Sequence, residues 1–148
     1  MSFTRLQTTD PDLVRLLRES APEALRRVAY SVARACLECV GLPYVILTSA
    51  LARIHDGSAE DDLEDQISDL VAELDRRTWE IQDRVEAGIA TQDEYLRAFT
   101  AARAAAAVHA ALDADPSKAA LEAAYEAQAA TQDIPLVGAI ARQALGKA

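Results

Sequence analysis

The chain has 148 residues, of which 51% are hydrophobic and 26% charged, and its formal net charge is −9. That length bounds it to one domain, 1–148, and that balance excludes an intrinsically disordered polymer. The acidic excess disfavours DNA, RNA and anionic lipid surfaces as partners, because phosphates repel a net anion.

Alanine supplies 32 residues and aromatics only 5%. Alanine has the highest helix propensity, whereas strands favour β-branched and aromatic residues. The predicted fold class is therefore all-α: a compact bundle of about six helices, mostly antiparallel neighbours with short connections. No run of about twenty apolar residues occurs, so no membrane span is expected. MSFTRLQTTDPD shows no apolar secretory signal, and with two cysteines a reducing, cytoplasmic setting is expected. Thirteen arginines against two lysines, beside so much alanine, resemble a product of a GC-rich bacterial genome.

In chain order, residues 1–9 carry no ordering signal and can be left disordered. Asp10-Pro11 reads as an N-cap followed by proline at the first helical position, opening a short helix to about Glu19. Ser20 with Glu23 has the spacing of a capping box, starting a longer helix that Gly41 stops. Pro43 begins a helix ending at Asp56-Gly57. Ser58 is placed to cap a long helix to Ala87, stopped by Gly88. Thr91 and Glu94 form a second capping box, for a helix to about Ala114. Asp115-Pro116 restarts the chain as far as Ala130, and a last helix runs from about Pro135 to Leu145.

Cys36 and Cys39 form a C-x-x-C pair within the apolar stripe Leu25, Val28, Ala29, Val32, Cys36, Cys39, Val40. The pair lies at the C-terminal end of its helix, where the dipole opposes thiolate formation, so both are expected as core rather than as a redox site. No further C-x-x-C or H-x-x-x-H would complete a zinc site, and no metal or other cofactor is expected. His55 is placed to complement the carbonyls ending the third predicted helix. His109 shares a helical face with Tyr95 and Phe99. With neither a phosphate-binding glycine loop nor G-x-S-x-G, no catalytic residue is assigned, and no enzyme activity is expected.

Charge is concentrated. Residues 56–94 hold 14 acidic and 3 basic side chains, a net of −11. The long helix there has the stripe Leu63, Ile67, Leu70, Val71, Leu74, Ile81, Val85, and Trp79 points about 120° away from its centre at 100° per residue. The helical neighbours of Trp79 are Asp75, Arg76, Gln82 and Asp83. A large aromatic in such a charged face has the composition of an interface residue, with Asp75, Asp83 and Glu86 as the acidic positions expected to meet a partner. On the second predicted helix, Arg27, Tyr30 and Arg34 project opposite the stripe, with Glu23–Arg27 and Arg34–Glu38 spaced as i,i+4 ion pairs.

These features predict a small non-catalytic bacterial protein that binds another protein, a basic one by charge. An immunity, antitoxin-like or regulatory partner that uses the acidic helix face fits that description. Two other readings are a homo-oligomeric bundle, such as a homodimer burying Trp79, and a small-ligand domain with a pocket at His109, Tyr95 and Tyr125.

Overall fold

A computed structural model describes residues 4–56 and 61–146. The described residues contain eight helices and no strand: α1 (Leu6–Thr9), α2 (Pro11–Arg18), α3 (Pro22–Val40), α4 (Val45–Asp56), α5 (Asp61–Glu86), α6 (Gln92–Ala111), α7 (Pro116–Thr131) and α8 (Ile134–Ala144). The all-α class holds, and the expected count of about six is corrected to eight. The boundaries taken in chain order already give seven helices, and the one they leave out is α1, a single turn whose Leu6 is fully buried. It lies in the segment where the sequence allows disorder.

Caps explain most boundaries. The Asp10 carboxylate accepts from Leu13 N at 3.1 Å, Thr91 Oγ1 from Glu94 N at 3.2 Å, and Asp115 from Ser117 N at 3.0 Å. Asp133, not singled out from the sequence, accepts from Leu136 N at 3.0 Å and opens α8. The Ser20 capping box does not form. Ser20 Oγ instead donates to Leu16 O at 2.7 Å, and α3 starts after Ala21 with Pro22 in its first turn. The helix expected from Pro43 starts at Val45, and the expected cap Ser58 lies outside the described residues. After α5 the chain turns through Gly88 at φ +78°, with Ile89 N bonded to Arg84 O at 2.9 Å and Gly88 N to Val85 O at 3.1 Å. That is a Schellman turn, and its left-handed residue is one that glycine adopts without a Cβ penalty.

Sequential antiparallel pairing accounts for only part of the packing. It holds for α5 on α6 and for α6 on α7, but the main neighbour of α3 is α7, four elements later. The core lies where α3, α6 and α7 meet. There Val28, Ala29, Val32 and Ala33 face Ala104, Ala105, Ala107, Val108, Ala120, Ala123, Ala124 and Ala127, all at most 1% exposed. Methyl-sized side chains let three helix backbones approach closely at normal packing density. Arg26 fastens the α6–α7 turn to α3 by donating to Asp113 O and Ala114 O, each at 2.6 Å.

One stretch of regular helix lies outside this core. The last buried residue of α5 is Thr78 and the first of α6 is Ala102; between them no residue is buried. Because the two helices run antiparallel, their uncovered halves lie side by side and end at the Gly88 turn. Residues 79–101 thus form a two-helix arm, based on the body and solvated around its tip.

Candidate functional site

At the base of the arm is a cleft of about 400 Å³. Its lining includes Trp79 from α5, Tyr95 and Phe99 from α6, and Tyr125 from α7. Four of the seven aromatic residues in the chain therefore share one depression. Trp79 is 71% exposed at its rim, and the Tyr95 and Phe99 rings lie 6.0 Å apart, centroid to centroid. Helical spacing brings them together: Tyr95 and Phe99 are i,i+4 on α6. Trp79 reaches them because the α5–α6 turn sets Asp75 opposite Arg103, and so Trp79 opposite Phe99, one turn nearer the tip.

The floor is ionic. Glu126 is 5% exposed and receives Arg103 Nη1 and Arg5 Nη2, each at 2.8 Å. Arg103 Nη2 also holds Asp75 at 2.5 Å, and Arg5 Nη2 holds Glu122 at 2.7 Å. Three carboxylates thus surround two guanidinium groups, a local net of −1. A buried carboxylate needs this pairing, since an unpaired charge is costly to take out of water. Burial works against the charge of Arg5, but hydrogen bonds and attraction from Glu122 and Glu126 outweigh it and hold Arg5 above its ordinary value. The Arg5 guanidinium also stands 4.3 Å above the centre of the Tyr125 ring, a cation–π contact.

Sequence reasoning missed Arg5, Arg103 and Glu126. For Glu126 a signal was available: it falls among Ala119, Ala123, Ala127 and Ala130 on the small-residue face of α7. A carboxylate at such a position has to find a cation inside the fold.

The structure joins two expectations that the sequence kept apart. Trp79, considered as an interface residue, and Tyr95 with Tyr125, considered as a pocket, line the same cleft. His109 does not join them. It lies fourteen residues beyond Tyr95 on α6, about 21 Å along the axis at 1.5 Å per residue, and faces another depression with Val71 and Asp113. Helical periodicity gave its face but not its height.

Asp75 is drawn into the ionic floor, whereas Asp83 and Glu86 are exposed on the arm. Beside them, Arg76 bonds both Glu73, at 2.5 Å, and Glu80. The hydrogen bond from Arg76 is the main cause holding the Glu73 carboxyl below its usual range.

The α3 patch lies elsewhere. Tyr30 and Arg34 line a groove between α3 and α4 that shares no lining residue with the cleft. Arg34 pairs with Glu38 at 2.9 Å, as its spacing predicts, while Arg27 Nε donates to Ala144 O at 3.1 Å, tying α3 to the end of α8. Tyr30, expected opposite the apolar stripe, packs partly against the core and sits 5.1 Å from the His55 ring.

Both cysteines are free thiols, and their expected shared burial is half corrected: Cys36 is fully buried and Cys39 exposed. Desolvation, with smaller contributions from Cys39 and Glu126, pushes the Cys36 thiol up to about 12. Among the described residues, no group of three or more His, Cys, Asp or Glu is placed to hold a metal ion. No described helix is long and apolar enough to cross a membrane. Compared with protein-family models, curated proteins and solved structures, the chain gives no match.

Proposed function

We propose that this chain acts by holding another protein, with no catalytic step of its own, and that the contact is centred on Trp79 at the base of the arm. The exposure of Trp79, 71%, is the observation that carries this reading. A tryptophan left open to water beside Tyr95 and Phe99 exposes apolar area that a partner can bury, and such residues commonly dominate binding energy at interfaces. The rest of the arm supports it. Ile89 is 75% and Leu96 44% exposed, on a two-helix element that supplies nothing to the core beyond Thr78. Masking a basic surface, as immunity and antitoxin proteins do, is one role that suits an acidic arm of this kind.

Affinity capture from the source organism tests it, with wild type, Trp79→Arg and Val45→Ala as baits. Val45 is 78% exposed on α4 and serves as a control away from the cleft. The expected result is one near-stoichiometric protein retained by wild type and Val45→Ala and lost by Trp79→Arg, with circular dichroism unchanged in all three. Capture that survives Trp79→Arg, or bait alone in every lane, would overturn the proposal.

A further inference from the structure

Resting on that reading, we infer that the partner presents a basic amphipathic helix, and that one of its arginine or lysine side chains enters the cleft among Trp79, Tyr95, Phe99 and Tyr125. Charge selects the ligand. The arm carries Glu80, Asp83, Glu86, Asp93 and Glu94 against Arg84 and Arg97, a net of −3 over residues 79–101. Within the cleft lining the charges balance, Asp75 and Glu126 against Arg5 and Arg103, so the negative field comes from the arm, with Glu122 behind Arg5 adding one further charge.

An anionic ligand would have to break the bonds that hold Arg5 and Arg103, while a cation meets aromatic faces under the negative field of the arm. The cleft already shows the chemistry in miniature: Arg5 stands 4.3 Å above one face of Tyr125. Among the described residues no such cation stands over Trp79, Tyr95 or Phe99, and aromatic faces attract guanidinium and ammonium groups most strongly when water is excluded.

The arm's shape selects the carrier. Two antiparallel helices leave between them a groove that a third helix fills, and anchors at i, i+3, i+4 and i+7 suit it. The α6 flank of the arm from Gln92 to Ala101 is about 15 Å long at 1.5 Å per residue, the length of a helix of about 10 residues, so a slightly longer helix spans it. A second copy is a poorer occupant. Apposed arms would bring two charges of −3 together, and the α3 arginines that could offset them are engaged, Arg34 with Glu38 and Arg27 with Ala144 O.

Trp79 is the only tryptophan, so its emission reports the cleft directly. The full chain is titrated with a 14-residue alanine–leucine amphipathic peptide carrying four arginines on its polar face. Its twins carry citrulline or glutamate at the same four positions, and tetraethylammonium is titrated separately. The inference expects saturable change with the arginine peptide, at least tenfold weaker binding of the citrulline twin and none of the glutamate twin. Phe99→Ala and Tyr95→Ala should weaken the arginine peptide at least fivefold, and Val45→Ala should leave it unchanged.

Equal response to arginine and citrulline peptides, or silence with both, overturns the basic-helix inference. If Trp79-dependent capture persists in that case, the binding reading stands without it. Saturation by tetraethylammonium but not by the arginine peptide would make the cleft a small-cation site and also overturn the inference. A concentration-dependent dimer in sedimentation, abolished by Trp79→Ala, would replace the partner helix by a second copy. If capture and titration both fail, the binding reading falls with the inference.

Discussion

The body around α7 and the arm beyond Thr78 are both regular helix, yet they owe their order to different physics. In α7 every exposed methyl would be wasted: Ala119, Ala120, Ala123 and Ala124 are completely buried, and close approach to α3 and α6 does the stabilising. In the arm no side chain is buried, and the larger residues Trp79, Ile89 and Leu96 stay open to water. There the helix rests on local devices: the Thr91 cap, the Gln82–Glu86 hydrogen bond, the Arg76–Glu80 pair at its base and the Gly88 turn. Residue size alone therefore misleads in this protein. Its smallest side chains make the core, and several of its largest make the surface.

The sharpest way to test that contrast is to make one substitution in both regions. Leu47 is fully buried and Leu96 is 44% exposed. Leu47→Ala should cost about 2–5 kcal/mol in urea denaturation, and Leu96→Ala no more than about 0.5 kcal/mol. Comparable losses at the two sites would mean that the arm is part of the core after all.

Next in size is the ionic floor that joins the regions. Glu126→Gln removes charge from a buried acceptor of two guanidinium groups and should cost about 1–3 kcal/mol, while Glu122→Gln, nearer solvent, should cost under about 1 kcal/mol. Hydrogen exchange should show α1 loosening first in the Glu126 variant, since Arg5 loses its inner partner.

A smaller effect isolates the arm. Gly88 sits at φ +78° with nothing within 4 Å of a Cβ placed there, so Gly88→Ala meets backbone strain without a clash. Roughly 1 kcal/mol is expected, read as faster amide exchange in residues 79–101 with the body unchanged. Slower protection loss in α7 than in the arm would keep the two regions separate, and equal loss would merge them.

The least perturbing probe is the thiol pair. Native protein should take one iodoacetamide adduct, on Cys39, with Cys36 modified only after unfolding. The folded Cys36 thiol holds its proton more tightly than the unfolded one. No stability is therefore lost below pH 9.0, and loss sets in as pH rises from 9.0 toward about 12. Cys36→Ala should lack that part of the alkaline decline, measured as the difference between two denaturation series.

What could be read from the sequence was local. Helix class, the caps at Asp10, Thr91 and Asp115, and the stop at Gly41 each depend on residues within one turn of one another. Ser20 failed for a local reason too: its hydroxyl had a competing acceptor behind it, Leu16 O. Helix geometry gives an angle for Trp79 away from its stripe, but its 71% exposure depended on whether another helix covered it. Beyond Thr78 none does. Long-range facts were not legible. Nothing near Arg5 in sequence points to Glu126, 121 positions away, and a shared helical face did not show that His109 and Tyr95, about 21 Å apart along α6, line different depressions. Cys39 lies at the edge of its stripe, and a stripe at 100° per residue has no sharp border.

The Arg5–Glu126 bond also sets a schedule for the growing polypeptide. Its two ends lie 121 positions apart, and Thr9 meets Gln128 across 119. At about 5–20 residues per second, the first turn of helix must wait roughly 6–24 s on the ribosome before its docking surface exists. α3 waits for the same helix. Until α7 emerges, the nascent protein holds its alanine faces unmatched, so the body closes late and nearly all at once, whereas the α5–α6 hairpin can form as soon as Arg103 is made.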